Sequence, residues 1–81
     1  MDHLTALQVF RTAATSGSFA GAARQLGLSA AAVSKNIAEL EAHLKVRLIN
    51  RTTRSMSLTE AGAAYHQRLS RILDDLSEAD A

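Results

Sequence analysis

The chain has no cysteine, so neither disulfides nor thiolate-bound zinc can supplement its core. It has no proline and only four glycines among 81 residues, and Ala, Leu, Arg and Glu are abundant, a composition that favours helix. No apolar stretch approaches the roughly 18 residues a membrane helix needs, so no membrane partner is expected. The opening Met-Asp-His has no basic region leading into an apolar run, and a secretory signal is not expected. These absences predict a soluble, cytoplasmic chain forming one small domain with a modest core.

Acidic charge is scarce where basic charge is dense. All nine Lys and Arg lie between Arg11 and Arg71, opposed there only by Glu39, Glu41 and Glu60. Between Ala42 and Thr59 lie Lys45, Arg47, Arg51 and Arg54 with no acid, whereas Asp74, Asp75, Glu78 and Asp80 crowd the last ten residues. The formal net charge of +1 conceals this segregation. It suggests a polyanionic partner for the middle of the chain, although a solvated basic face would look the same on charge alone.

Leu4, Leu7, Phe10, Ala13 and Ala14 recur at helical spacing, with Asp2 as a start signal and Thr15-Ser16-Gly17 as a stop. Ser18 opens a short second helix through Phe19, Ala22, Ala23 and Leu26, and Gly27 breaks it. Ser29 caps a third helix whose inward stripe is Val33, Ile37, Leu40 and Leu44. The period then changes: Val46, Leu48 and Asn50 alternate with Arg47, Ile49 and Arg51, and Met56-Ser57-Leu58 alternates again, predicting a hairpin around a basic turn. Thr59-Glu60 opens a fourth helix running to the end of the chain. Along it Gly62, Tyr65, Leu69, Ile72, Leu76 and Ala79 form a heptad seam. The preceding residues can cover only about its first half, so an apolar stripe through Leu69, Ile72, Leu73 and Leu76 is expected to need a partner.

The second and third helices around Gly27 have the form of a helix-turn-helix, which a plain helical hairpin could imitate. With the stripe inward, the third helix presents Ala30, Ala31, Ser34, Lys35 and Ala38, a face with little bulk and no acid. A helix entering the major groove needs such a face: alanines permit close approach, Ser34 donates or accepts, and Lys35 reaches a phosphate or guanine edge. Backbone amides beside Ser18 and Ser29 can hold phosphates. Alanine is also the best helix former, so taken alone the face has an ordinary explanation. The basic hairpin that follows shifts the balance, since Arg51 and Arg54, with Thr52 between them, can reach phosphates or a narrow minor groove.

The strings FAGAARQLGLS at 19–29, RLINRTTR at 47–54 and LTEAG at 58–62 resemble the N-terminal signature of LysR-type transcriptional regulators. The resemblance covers essentially the whole chain. It implies a mainly α fold with a small β-hairpin, a winged helix-turn-helix followed by a long linker helix. In those terms residues 1–58 form the DNA-binding domain, with the helix-turn-helix at about 18–37 and the wing at about 46–58. Residues 59–81 form the linker and dimerisation helix. It further implies double-stranded promoter DNA as partner and a homodimer through Tyr65, Leu69, Ile72, Leu73 and Leu76. It also implies a separate C-terminal domain, absent from this chain, that senses a small-molecule inducer and on which tetramer formation in this family depends. No cofactor is implied within these residues. Family recognition helices commonly begin Ser/Thr-Gln-Pro-Ala-Val-Ser-Arg-Gln, and here the string is SAAAVSKN at 29–36. The base-contacting glutamine is therefore missing at Ala30, and the proline at Ala31. Specificity then rests on Ser34, Lys35, Asn36, alanine contacts with thymine methyls, and DNA shape. Lys45 replaces the glycine usual after the third helix, which disfavours a left-handed cap there.

Other chemistry finds little support. His3, His43 and His66 fall on different elements without ligand spacing, and no metal site is expected. Asp74 and Asp75 are adjacent on a helix and diverge, so they suit acid–base work poorly. No nucleophile–base pair or phosphate-cradling loop is visible, and an enzyme is not expected. Two classes remain: sequence-specific DNA binding as a dimer, and a helical protein-interaction module whose basic hairpin only confers solubility.

Overall fold

A computed structural model describes residues 2–51 and 56–81. Helix α1 (His3–Ser16) is followed by α2 (Phe19–Leu26), α3 (Ala30–Leu44), strands β1 (Ile49–Arg51) and β2 (Met56–Leu58), and α4 (Glu60–Ala79). Helix α1 contacts α2, α3 and α4, and so forms the centre of the domain. Its buried face is Ala6, Val9, Phe10 and Ala13, at spacings of three, one and three. The predicted stripe is therefore turned: Leu4 is 41% exposed, and Ala6 and Val9 take the inward positions. Asp2 occupies the N-cap position, but its carboxylate accepts from the Thr5 hydroxyl and caps no backbone amide.

The expected caps of α2 and α3 are present. Ser18 Oγ accepts from the Gly21 amide at 2.9 Å, and Ser29 Oγ accepts from the Ala32 amide at 3.0 Å. Gly27, at φ 68°, turns the chain in the left-handed region between the two helices. Val33, Ile37 and Leu40 are fully buried, as the stripe predicts, and Leu44 is half-buried.

Lys45 corrects an expectation. Despite its side chain it is left-handed, at φ 58°, and its amide and that of Val46 both donate to the Glu41 carbonyl. A helix end closed by such a pair of bonds needs this conformation, and the lysine tolerates it at a cost. Lys45→Gly should raise stability by about 1 kcal/mol, read as a higher urea midpoint at unchanged m-value.

The hairpin also differs from the alternation read in the sequence. Val46–Leu48 is not strand; β1 begins at Ile49, and the consecutive residues Leu48 and Ile49 are both fully buried. The Glu41 carboxylate holds them so, accepting from the Leu48 amide at 2.8 Å and the Ile49 amide at 3.1 Å. The strands are antiparallel, with Ile49 opposite Leu58, Asn50 opposite Ser57 and Arg51 opposite Met56.

Thr59 caps α4, its Oγ1 accepting from the Gly62 amide at 2.9 Å while donating to the Arg47 carbonyl at 2.6 Å. Helix α4 packs on α1 through Tyr65 and His66, whose rings lie 5.9 and 6.2 Å from that of Phe10, and through Leu69 and Leu73. Burial pushes the Tyr65 phenol above its ordinary value of 10. The folded chain thus resists deprotonation there, and stability present below pH 10 declines as pH rises further. At the far end, Arg11 meets Asp74 at 2.6 Å, an exposed pair worth little by itself.

Candidate nucleic-acid interface

The outward side of α3 follows from its inward side. Ala30, Ala31, Lys35 and Ala38 are exposed and Ser34 is half-buried. Lys35 forms no ion pair among the described residues. Asn36 is half-buried, and its side-chain NH2 donates one of its two N–H groups to the Ala32 carbonyl at 2.9 Å, so its second N–H and Oδ1 remain as further donor and acceptor. The caps place Ser18 and Ser29 at the starts of α2 and α3, the positive ends of two helix dipoles. At both caps the serine oxygen satisfies one amide, leaving other first-turn amides without an intrahelical acceptor. The residues predicted on α2 and α3 are thus brought together as a helix start and the bare helical face beside it.

Arg51 is the exception. The sequence puts it on the exposed turn, whereas the structure puts it at the end of β1, on the strand face it shares with buried Ile49. Facing the body, its guanidinium pairs with Glu41 Oε1 at 3.3 Å and lies 5.8 Å from the centroid of the Phe19 ring. Glu41 lies ten residues before Arg51 in the chain, and no linear spacing singles it out. Thr52 and Arg54 lie outside the described residues. Arg47 is exposed and near the hairpin base.

Of the residues expected to carry dimerisation, Leu69 and Leu73 are 3% and 6% exposed within this chain's own core, and Tyr65 is half-buried against Phe10. Ile72 and Leu76 remain 60% and 42% exposed. The heptad reading assigned the seam to one face, but the body covers α4 farther along than its first half and takes Leu73. Leu76 and Leu73 also border a groove of about 430 Å³ with Gln8, Arg11, Leu26 and Ser77. His3 and His43 come together, ring centroids 5.0 Å apart, although they are far apart in sequence. No group of three potential metal ligands occurs among the described residues. No helix among them is long and apolar enough to cross a membrane.

Residues 4–63 match the family model described as bacterial regulatory helix-turn-helix protein, lysR family. The chain is 47% identical, over its full length, to the HTH-type transcriptional repressor PA14_22550 of Pseudomonas aeruginosa, and spans 26% of that protein. Among solved structures it resembles BenM_DBD in complex with catB site 1 DNA, with TM-score 0.90, 26% identity and coverage of 98% of this chain and 87% of the other. It likewise resembles CbnR_DBD in a DNA complex, with TM-score 0.89, 32% identity and coverage of 99% and 91%. The chain spans about a quarter of the length of the curated relatives it matches.

Proposed function

Because the chain belongs to the LysR family of bacterial helix-turn-helix regulators and forms its DNA-binding domain, we propose that it binds double-stranded promoter DNA sequence-specifically as a homodimer. Helix α3 enters the major groove with Ala30, Ala31, Ser34, Lys35 and Asn36 toward the bases. The first-turn amides beside Ser18 and Ser29 meet phosphates, and the wing, through Thr52 and Arg54, lies on the backbone or minor groove. The observation that carries this reading is the outward face of the first turns of α3: small, and bearing a lysine that forms no ion pair among the described residues, beside two helix starts. The DNA complexes of BenM_DBD and CbnR_DBD, which share this fold, support it. A mixed-sequence duplex should be retained at low salt and released steeply as salt rises, because neutralised phosphates release counterions. No retention at low salt would leave the protein-interaction reading in its place.

Residues 1–58 act in this reading as the winged helix-turn-helix and 59–81 as the linker helix. The dimer rests on Ile72 and Leu76, the apolar residues of α4 that the body leaves exposed. Sedimentation of the wild-type chain should show a dimer at high concentration, and Ile72→Glu with Leu76→Glu should shift it to monomer without loss of helix signal. A wild-type monomer at high concentration would remove the dimer. A two-fold dimer should read two half-sites on one face of the duplex, a roughly palindromic operator.

A further inference from the structure

Both oxygens of the Glu41 carboxylate are engaged at the base of the hairpin. Oε2 accepts from the Leu48 and Ile49 amides at 2.8 and 3.1 Å, and Oε1 faces the Arg51 guanidinium at 3.3 Å. Its side chain is only 15% exposed. Arg51 continues the chain of contacts to the Phe19 ring on α2. One carboxylate near the end of α3 therefore binds both ends of β1, and the arginine it holds bears on α2. The strand register explains why: residues two apart share a face, so Arg51 lies on the face of buried Ile49 and its guanidinium reaches Glu41 while the residue stays exposed at the surface.

We propose that Glu41 and Arg51 are positioning residues for DNA binding: together they fix the wing at a set angle to the recognition helix, and Arg51 is not a phosphate contact. Charge-assisted bonds of this kind are stronger than neutral ones and hold backbone rather than a mobile side chain, which suits them to set the direction of a strand. The wing and α3 must meet the duplex at once, so an error in their relative angle weakens both contacts. The inference rests on the DNA-binding reading and makes a prediction opposite to simple electrostatics. Removing an acid beside a DNA-binding surface should, by Coulomb attraction alone, strengthen binding. Removing this acid should weaken it.

The test uses the 81-residue chain and a duplex that the wild-type chain selects from a random-sequence pool. Glu41→Gln should weaken binding to that duplex on the order of tenfold, the loss of about one good contact, with helix content unchanged. Arg51→Gln should weaken it similarly, and the double variant should be no weaker than the worse single one, since both remove the same constraint. Amide exchange at Leu48 and Ile49 should accelerate in Glu41→Ala while the amides of α1 stay protected, which reads the clamp independently of DNA. Binding by Glu41→Gln as tight as wild type or tighter, or additive losses in the double variant, would overturn the proposal. If the wild-type chain selects no duplex at all, the DNA-binding reading itself fails, a result distinct from either.

Discussion

Alanine at Gly62 should cost the fold about 3 kcal/mol, the upper range for forcing extra volume into a packed site. In an exposed helix the same change is normally favourable by about 1 kcal/mol, because glycine is a poor helix former. Here a Cβ would fall 1.9 Å from the Leu48 carbonyl oxygen and 2.8 Å from its carbon. Those are backbone atoms, and they cannot swing aside as a side-chain end could. The same Leu48 carbonyl accepts from the Thr59 amide at 3.0 Å, so moving it would also break the start of α4. A chain of this size has a total stability of about 4–12 kcal/mol, so the loss would bring it near the edge of folding. Equilibrium urea denaturation reads the effect directly, and Ala63→Gly, at an exposed position one residue on, supplies the ordinary helical comparison. A midpoint for Gly62→Ala equal to or above wild type would show that α4 does not sit on the base of the hairpin as described.

Lys35→Glu should reduce duplex affinity on the order of a hundredfold, combining a lost contact with a new repulsion. Lys35 stands on the exposed side of α3 among alanines and forms no ion pair among the described residues. Its substitution touches no buried group, so stability should move by no more than about 0.5 kcal/mol. The milder Lys35→Ala separates two modes of contact. If the ammonium reads a guanine edge, the ranking of duplexes changes; if it meets a phosphate, all duplexes weaken alike and the salt slope falls by about 0.9. Fluorescence anisotropy over a salt series, with several selected duplexes, distinguishes these outcomes. Undiminished affinity in Lys35→Glu would take this face of α3 out of the interface.

Much of the architecture was legible because it depends on local rules. Ser18, Ser29 and Thr59 announce helix starts, Gly17 and Gly27 announce left-handed ends, and all five do so here. The stripe Val33, Ile37, Leu40 was equally plain, since burial of one face imposes its period on the sequence. Errors arose where two patterns competed. On α1, Leu4 fits a helical stripe as well as Ala6 does, and only the position of the neighbouring helices selects between them. On α4, a heptad seam and a body-facing stripe overlap at Leu69, and the packing on Phe10 brings Leu73 inward and leaves Ile72 out.

The sequence by itself determined the family, the order of elements and the acid-free face of the recognition helix, because caps, glycine turns and hydrophobic period are written in neighbouring residues. Only the tertiary structure decided what the charges near the hairpin do. A basic segment without an acid between Ala42 and Thr59 acquires one from Glu41, the residue just before it, once β1 folds back along the end of α3. That carboxylate pairs with Arg51, which the sequence alone offers only as a candidate phosphate ligand. It also seats Leu48, whose backbone in turn requires a glycine at Gly62. Such contacts are set by the approach of separate elements in space, which no spacing along the chain records.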